Sequence, residues 1–175
     1  VVLDFVQNLD VKGNPYVFAV ITCAGGIGGT GAYLAQELAE KGLALNYITP
    51  LLMPDNTVFY YNIDGKEKTD EQLADAKARL TDIKEELATN KERRATGISS
   101  EIFRPMYHAM AKTKKFYVTD ACIHCSLCVQ NCPDGAIGME SGKPVWQKAR
   151  CTKCSSCINR CPTIAIQYGR ATEKR

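Results

Sequence analysis

The sequence contains no apolar run approaching the roughly 20 residues that a membrane-spanning helix needs, its longest clean run being Val17 to Ile21. Its opening residues do not read as a secretory signal. Disordered and collagen-like compositions are also excluded, because 45% hydrophobic and 23% charged residues are the proportions of an ordinary globular chain. Neither sign of charge dominates at a net +3, so no nucleic acid or other polyanion is expected as a partner. No nucleophile, base and orienting group fall into a catalytic pattern, so substrate chemistry is not expected of these residues. These absences lead to the expectation of a soluble, cytoplasmic chain without a membrane span.

Cysteine is what the chain has in excess. There are nine in 175 residues, and eight of them fall between positions 122 and 161. Without a secretory signal, such a cluster points to metal rather than to a disulfide framework. Cys23 stands apart at the end of an apolar run, where a free cysteine acts as a small hydrophobe.

Charge divides the chain into three blocks. Residues 1–65 carry 2 Lys/Arg against 6 Asp/Glu, residues 66–115 carry 12 against 9, and residues 116–175 carry 8 against 4. The first block reads as helix, strand, helix, strand. Val2, Phe5, Val6 and Leu9 recur at helical spacing. Tyr16 to Thr22 is a continuous run of the kind buried on both faces of a parallel sheet. A glycine-rich loop, Ala24 to Gly31, leads into a helix over Ala32 to Lys41 that stops at Gly42, and Ala44 to Ile48 supplies a second strand before Pro50. A two-stranded parallel sheet cannot cover both faces alone, so the sequence is expected to be the C-terminal part of a longer chain.

In the second block, Thr69 and Gln72 match a capping box ahead of a helix expected from Asp70 to Asn90, with Leu73, Ala76, Leu80, Ile83 and Leu87 on one face. Charges on it, such as Asp75 and Arg79, read as a solvated face. Thr96 to Ser100 breaks the pattern. Ile102, Phe103, Met106, Tyr107 and Met110 then form an apolar face ending in Lys112, Lys114 and Lys115; one short face is a weak membrane anchor, and packing between domains is expected.

The third block holds Cys122, Cys125, Cys128 and Cys132 before Pro133, then Cys151, Cys154, Cys157 and Cys161 before Pro162. Both runs follow C-x2-C-x2-C-x3-C-P, an established ferredoxin spacing. Two intervening residues let the chain fold round one corner of a cubane, so that three thiolates reach three irons, while the proline turns the chain away after the fourth. The whole run repeats at 29 residues, together with C-P-x-x-A-I in Cys132 to Ile137 and Cys161 to Ile166. Ala136, Ile137, Ala165 and Ile166 are the expected apolar shell. Phe116 to Thr119 is expected to pair with Ile164 to Tyr168, and Gly138 to Trp146 reads as a hairpin turning at Ser141 and Gly142. Two tetrahedral zinc sites would also use eight cysteines, but zinc sites pair short C-x2-C knuckles across a longer loop. His108, His124 and Trp146 read as packing or surface residues.

Residues 116–175 resemble bacterial dicluster ferredoxins. That resemblance implies two 4Fe-4S clusters with exchanged fourth ligands, Cys122, Cys125, Cys128 and Cys161 on one and Cys151, Cys154, Cys157 and Cys132 on the other, and low potentials from all-cysteine ligation. Residues 1–65 look like the C-terminal half of a flavodoxin-like domain, with the Thr22 to Gly31 loop facing the flavin and Met53 to Asn56 following the last strand. The combination is similar to the ferrodoxins, flavodoxin–ferredoxin fusions, and the present sequence lacks that family's first strand and phosphate loop. The resemblance implies an α/β part of a flavodoxin-like parallel sheet (1–65), a helical extension and linker (66–115) and a small α+β ferredoxin domain (116–175). It further implies FMN in the full-length parent, held in part by Thr22, Gly25, Gly26, Gly28 and Gly29, and redox proteins as partners. An electron carrier is therefore expected before a catalyst, and an iron–sulfur flavoprotein oxidoreductase reducing a small-molecule acceptor is the rival expectation.

Overall fold

A computed structural model describes residues 2–59, 64–95 and 104–173. The break at Thr96 to Ser100, the apolar pair Ile102 and Phe103, and the side chains of Tyr107 and His108 lie outside the described residues. The chain divides into two units, Val1–Asp55 with Asp64–Arg104 and Asn56–Ile63 with Pro105–Arg175, so that the 66–115 block is shared between them.

The first unit contains α1 (Val2–Gln7), β1 (Val17–Cys23), α2 (Thr30–Glu40), β2 (Leu45–Leu52) and α3 (Lys66–Ala88). β1 and β2 pair in parallel from Phe18 opposite Tyr47 to Cys23 opposite Leu52. The connection through α2 ends in a Schellman motif. Gly42 sits at φ +73°, its N–H reaches the Ala39 carbonyl at 2.9 Å, and the N–H of Leu43 reaches that of Leu38 at 3.0 Å. Leu38 and Leu43, the hydrophobic partners of that motif, are buried with Val6 of α1.

Several sequence expectations are corrected here. β1 is not buried on both faces: Phe18 is 53% exposed, because β1 pairs only with β2 among the described residues and one of its faces is uncovered. For a related reason α1 packs Val6 and Leu9 inward but leaves Val2 and Phe5 exposed. β2 does not stop before Pro50. The N–H of Ile48 is given to the carbonyl of Arg93, on the side away from β1, so the nitrogen of Pro50 two residues later faces that open edge, where no ladder bond is lost. A single parallel bridge, Tyr47 to Arg93, adds a rudimentary third strand.

α3 begins at Lys66, not near Asp70. The Thr69 N–H is already bonded to the Gly65 carbonyl at 3.0 Å, which puts Thr69 inside the first turn, and the expected capping box does not form. Its inward stripe is Ala76, Ile83 and Leu87 against Tyr47 and Leu51, while Leu73 and Leu80 are exposed. Arg79 does not belong to a fully solvated face, its side chain being only 30% exposed. It turns to Glu86 at 3.2 Å and Asp82 at 3.5 Å. Glu86 also receives the hydroxyl of the fully buried Tyr47 and the Lys91 ammonium at 3.0 Å. The Tyr47 bond above all, then Lys91 and Arg79, hold its carboxyl down at about 2.

In the second unit, α4 (Arg104–Met110), of which all but the first residue belong there, precedes β3 (Phe116–Val118), and its Met106 and Met110 are exposed. β3 pairs antiparallel with β6 (Ile166–Tyr168), Phe116 opposite Tyr168, as the sequence leads one to expect. β4 (Ile137–Glu140) and β5 (Lys143–Trp146) form the hairpin, and both turn residues, Ser141 and Gly142, have positive φ, the signature of a type I′ turn. Two one-turn helices, α5 (Leu127–Gln130) and α6 (Ser156–Asn159), complete the repeat. The core joins Ile158, Ile166 and Tyr168 to Val58 and Phe59.

Candidate metal centre

Each C-x2-C-x2-C loop is built by the same backbone device. His124 and Ser126 lie at φ +58° and +59°, and their repeat equivalents Lys153 and Ser155 at +51° and +61°. Left-handed residues before and after the middle cysteine curl the chain into a concave loop of the kind in which backbone N–H groups meet anions. The two C-P ends match as well. Gly135 and Ile164 both sit near φ +50°, and the N–H groups of Ala136 and Ala165 each donate to the sulfur of the preceding Cys132 and Cys161 at 3.2 Å.

The eight cysteines line two cavities, and the division crosses the sequence runs. One cavity is lined by Cys122, Cys125, Cys128 and Cys161, with Ile123, Leu127, Met139 and Ile166 among its walls. The other is lined by Cys132, Cys151, Cys154 and Cys157, with Phe116, Trp146 and Lys153. The last cysteine of each run thus stands with the first three of the other. Ala136, Ile137, Ala165 and Ile166 are buried, as expected for the apolar shell. Trp146 stacks on Phe116 with ring centres 4.6 Å apart and planes 7° from parallel.

Burial pushes the thiols of Cys128 and Cys151 up and that of Cys157 up to about 12. Such a thiol keeps its proton at neutral pH until a cationic centre replaces it. Cys161 moves the other way: burial opposes ionisation most strongly, but the N–H groups of Thr163, Ala165 and Ile166 and the Thr163 hydroxyl together outweigh it. Among the described residues, no three His, Cys, Asp or Glu side chains converge on a point that one metal ion would occupy.

The glycine loop is different in kind. Thr22 is exposed on β1, Gly25 and Gly26 have open space where a Cβ would stand, Gly28 lies at φ +50° and Gly29 precedes α2. The cavity at that end of the sheet is lined by Ala24, Met53, Gln72 and Arg79 among others, and by none of the five. Cys23 is half-buried, and His124 points its Nδ1 at the carbonyl of Gly142.

Sequence reasoning missed Phe59, which meets Tyr168 and Phe116 edge to face at 4.6 and 5.6 Å, and Lys153, whose ammonium lies 4.0 Å from the Tyr168 ring centre. The aromatic run after Pro54 was the only signal for the first. The second had one too, as the charged residue inside a cysteine loop.

Residues 114–172, about a third of the chain, match the family model of a 4Fe-4S dicluster domain. No curated protein matches the chain. The second unit therefore contains a ferredoxin-type domain of the iron–sulfur electron-transfer class.

Proposed function

We propose that the chain transfers electrons one at a time through two 4Fe-4S clusters, one held by Cys122, Cys125, Cys128 and Cys161 and the other by Cys132, Cys151, Cys154 and Cys157. The observation that carries this reading is the crossed division of the thiols between two cavities. The residues fit such a group: four thiols surround each space, and backbone N–H groups already reach Cys132 and Cys161. The clusters supply the one-electron chemistry. The protein's own residues set its conditions. The Ala136 and Ala165 N–H groups stabilise negative charge on sulfur, and the stacked Phe116 and Trp146 keep water from one flank of the second cavity. All-cysteine ligation makes low potentials the expectation.

A zinc scaffold fits less well, since a tetrahedral zinc needs four donors within about 2.3 Å of one point. Coupling to FMN in a longer parent, in the cytoplasm and with redox proteins as donor and acceptor, is the finer part of the proposal. It rests on the resemblance and on the open backbone at Gly25, Gly26 and Gly28. No step is derived through flavin, because the cavity beside that loop is lined by other residues.

The test is anaerobic reconstitution followed by iron and sulfide analysis and EPR. About eight of each per chain are expected. Cys161→Ser is expected to disturb the cluster of the first run and Cys132→Ser that of the second. Zinc without acid-labile sulfide would refute the reading, and so would a Cys161→Ser variant that disturbs only the cluster of Cys151, Cys154 and Cys157.

A further inference from the structure

The repeat supplies an internal control for the two sites. Their ligands and backbone turns match, but the residue two places after the first cysteine is His124 in one loop and Lys153 in the other, each in the left-handed region. His124 sets its Nδ1 against the Gly142 carbonyl and lines the cavity of Cys122, Cys125, Cys128 and Cys161. Lys153 turns inward: it donates to the Tyr168 hydroxyl, lies 4.0 Å from the Tyr168 ring centre and 5.5 Å from that of Phe59, and lines the cavity of Cys132, Cys151, Cys154 and Cys157. Among the described residues the other cavity is lined by no Lys, Arg, Asp or Glu, and His124 is its one titratable wall residue besides the cysteines. An acid that bears on Cys151 is Asp134, itself faced by Lys148 at 4.0 Å.

We propose that Lys153 splits the potentials of the two sites, making the cluster of Cys132, Cys151, Cys154 and Cys157 the first to accept an electron. The inference rests on the cluster reading above. One electron from a one-electron donor takes a four-thiolate cluster from a net charge of about −2 to about −3, with no bond made or broken. A fixed cation favours the more negative state. Half-buried against aromatic faces, the Lys153 ammonium is screened less than a solvated one.

The experiment is a dithionite titration of the full, anaerobically loaded chain, followed by EPR, with iron and sulfide counted in every sample. Lys153→Met keeps the alkyl stem and removes the charge. It is expected to lower the higher potential toward the other and leave the lower one in place, whereas Lys153→Arg keeps the splitting. His124→Lys, the reciprocal change, is expected to raise the lower potential. Both potentials unmoved in Lys153→Met, or both moved equally, would overturn the proposal. If Lys153→Met fails to load, His124→Lys decides, and an unmoved lower potential there overturns it too. A wild-type chain that takes up no iron or sulfide refutes the cluster reading itself, which is a different result from a loaded chain whose potentials ignore residue 153.

Discussion

Ile164 occupies a backbone position that an L-residue with a branched Cβ enters at a cost. Its φ is +52°, and its repeat equivalent, at +53°, is Gly135. The left-handed region costs an L-residue about 1–2 kcal/mol, whereas glycine enters it freely but carries about 0.4–1 kcal/mol more unfolded-chain entropy. Comparing Ile164→Gly with Ile164→Ala isolates that balance, since both remove the same half-exposed side chain beyond Cβ. Glycine is ordinarily worse than alanine by roughly 0.5–1 kcal/mol. At position 164 the order should reverse, with glycine the better by up to about 1.6 kcal/mol, roughly a fifteenfold slower unfolding at most. Gly135→Ala should cost about 1 kcal/mol by the same account, because open space around its Cβ leaves strain as the only penalty. The assay is the unfolding rate of the loaded protein at one guanidinium concentration, read anaerobically from the cluster absorbance. An Ile164→Gly chain that unfolds faster than Ile164→Ala would refute the strain argument.

Two further outcomes follow from the packing. The Glu86 carboxyl, held at about 2 against an ordinary 4.5, contributes stability that is fully present above 4.5 and is lost as pH falls toward 2. Glu86→Gln should therefore loosen α3 at neutral pH and flatten its acid response, as hydrogen exchange of the α3 amides between pH 6 and pH 3 would report; unchanged exchange contradicts the network. Phe59→Ala should destabilise the second unit by about 3–5 kcal/mol, as a buried aromatic in an edge-to-face cluster does. Near-UV circular dichroism during denaturation would test it, and a loss below about 1 kcal/mol would show that Phe59 is not part of that core.

The grouping of the cysteines round two cavities was legible because it is written in local spacing: a thiol every third residue forces a tight loop, and the following proline forces an exit. The hairpin and the β3–β6 pairing were legible for the same reason, through turn residues and alternation. What sequence missed was tertiary. Thr69 and Gln72 satisfy a capping pattern, yet the four residues before Asp70 are adequate helix formers and the helix extends through them to Gly65. Pro50 reads as a stop, and only the position of Arg93 shows that its nitrogen faces an edge. Val58 and Phe59 belong to the core of a unit that begins in earnest almost fifty residues later, and no periodicity in a short aromatic run reveals such a partner. The three-block reading of charge likewise does not see that α3 packs on β2.

The repeat bears on where differences between the two sites must originate. Residues that shape the backbone are shared or matched in conformation: the cysteines, the serines at 126 and 155, the prolines, and the Ala-Ile pairs. The walls are not. Ile123, Leu127 and Met139 in one half stand where Thr152, Ser156 and Tyr168 stand in the other. On the proposed cluster reading ligand chemistry is common to both sites, and a difference in potential or exposure comes from side chains such as these, His124 and Lys153 among them. Exchanging wall residues between the halves should move electron-accepting properties without moving the metal content, whereas replacing a cysteine by serine should change both.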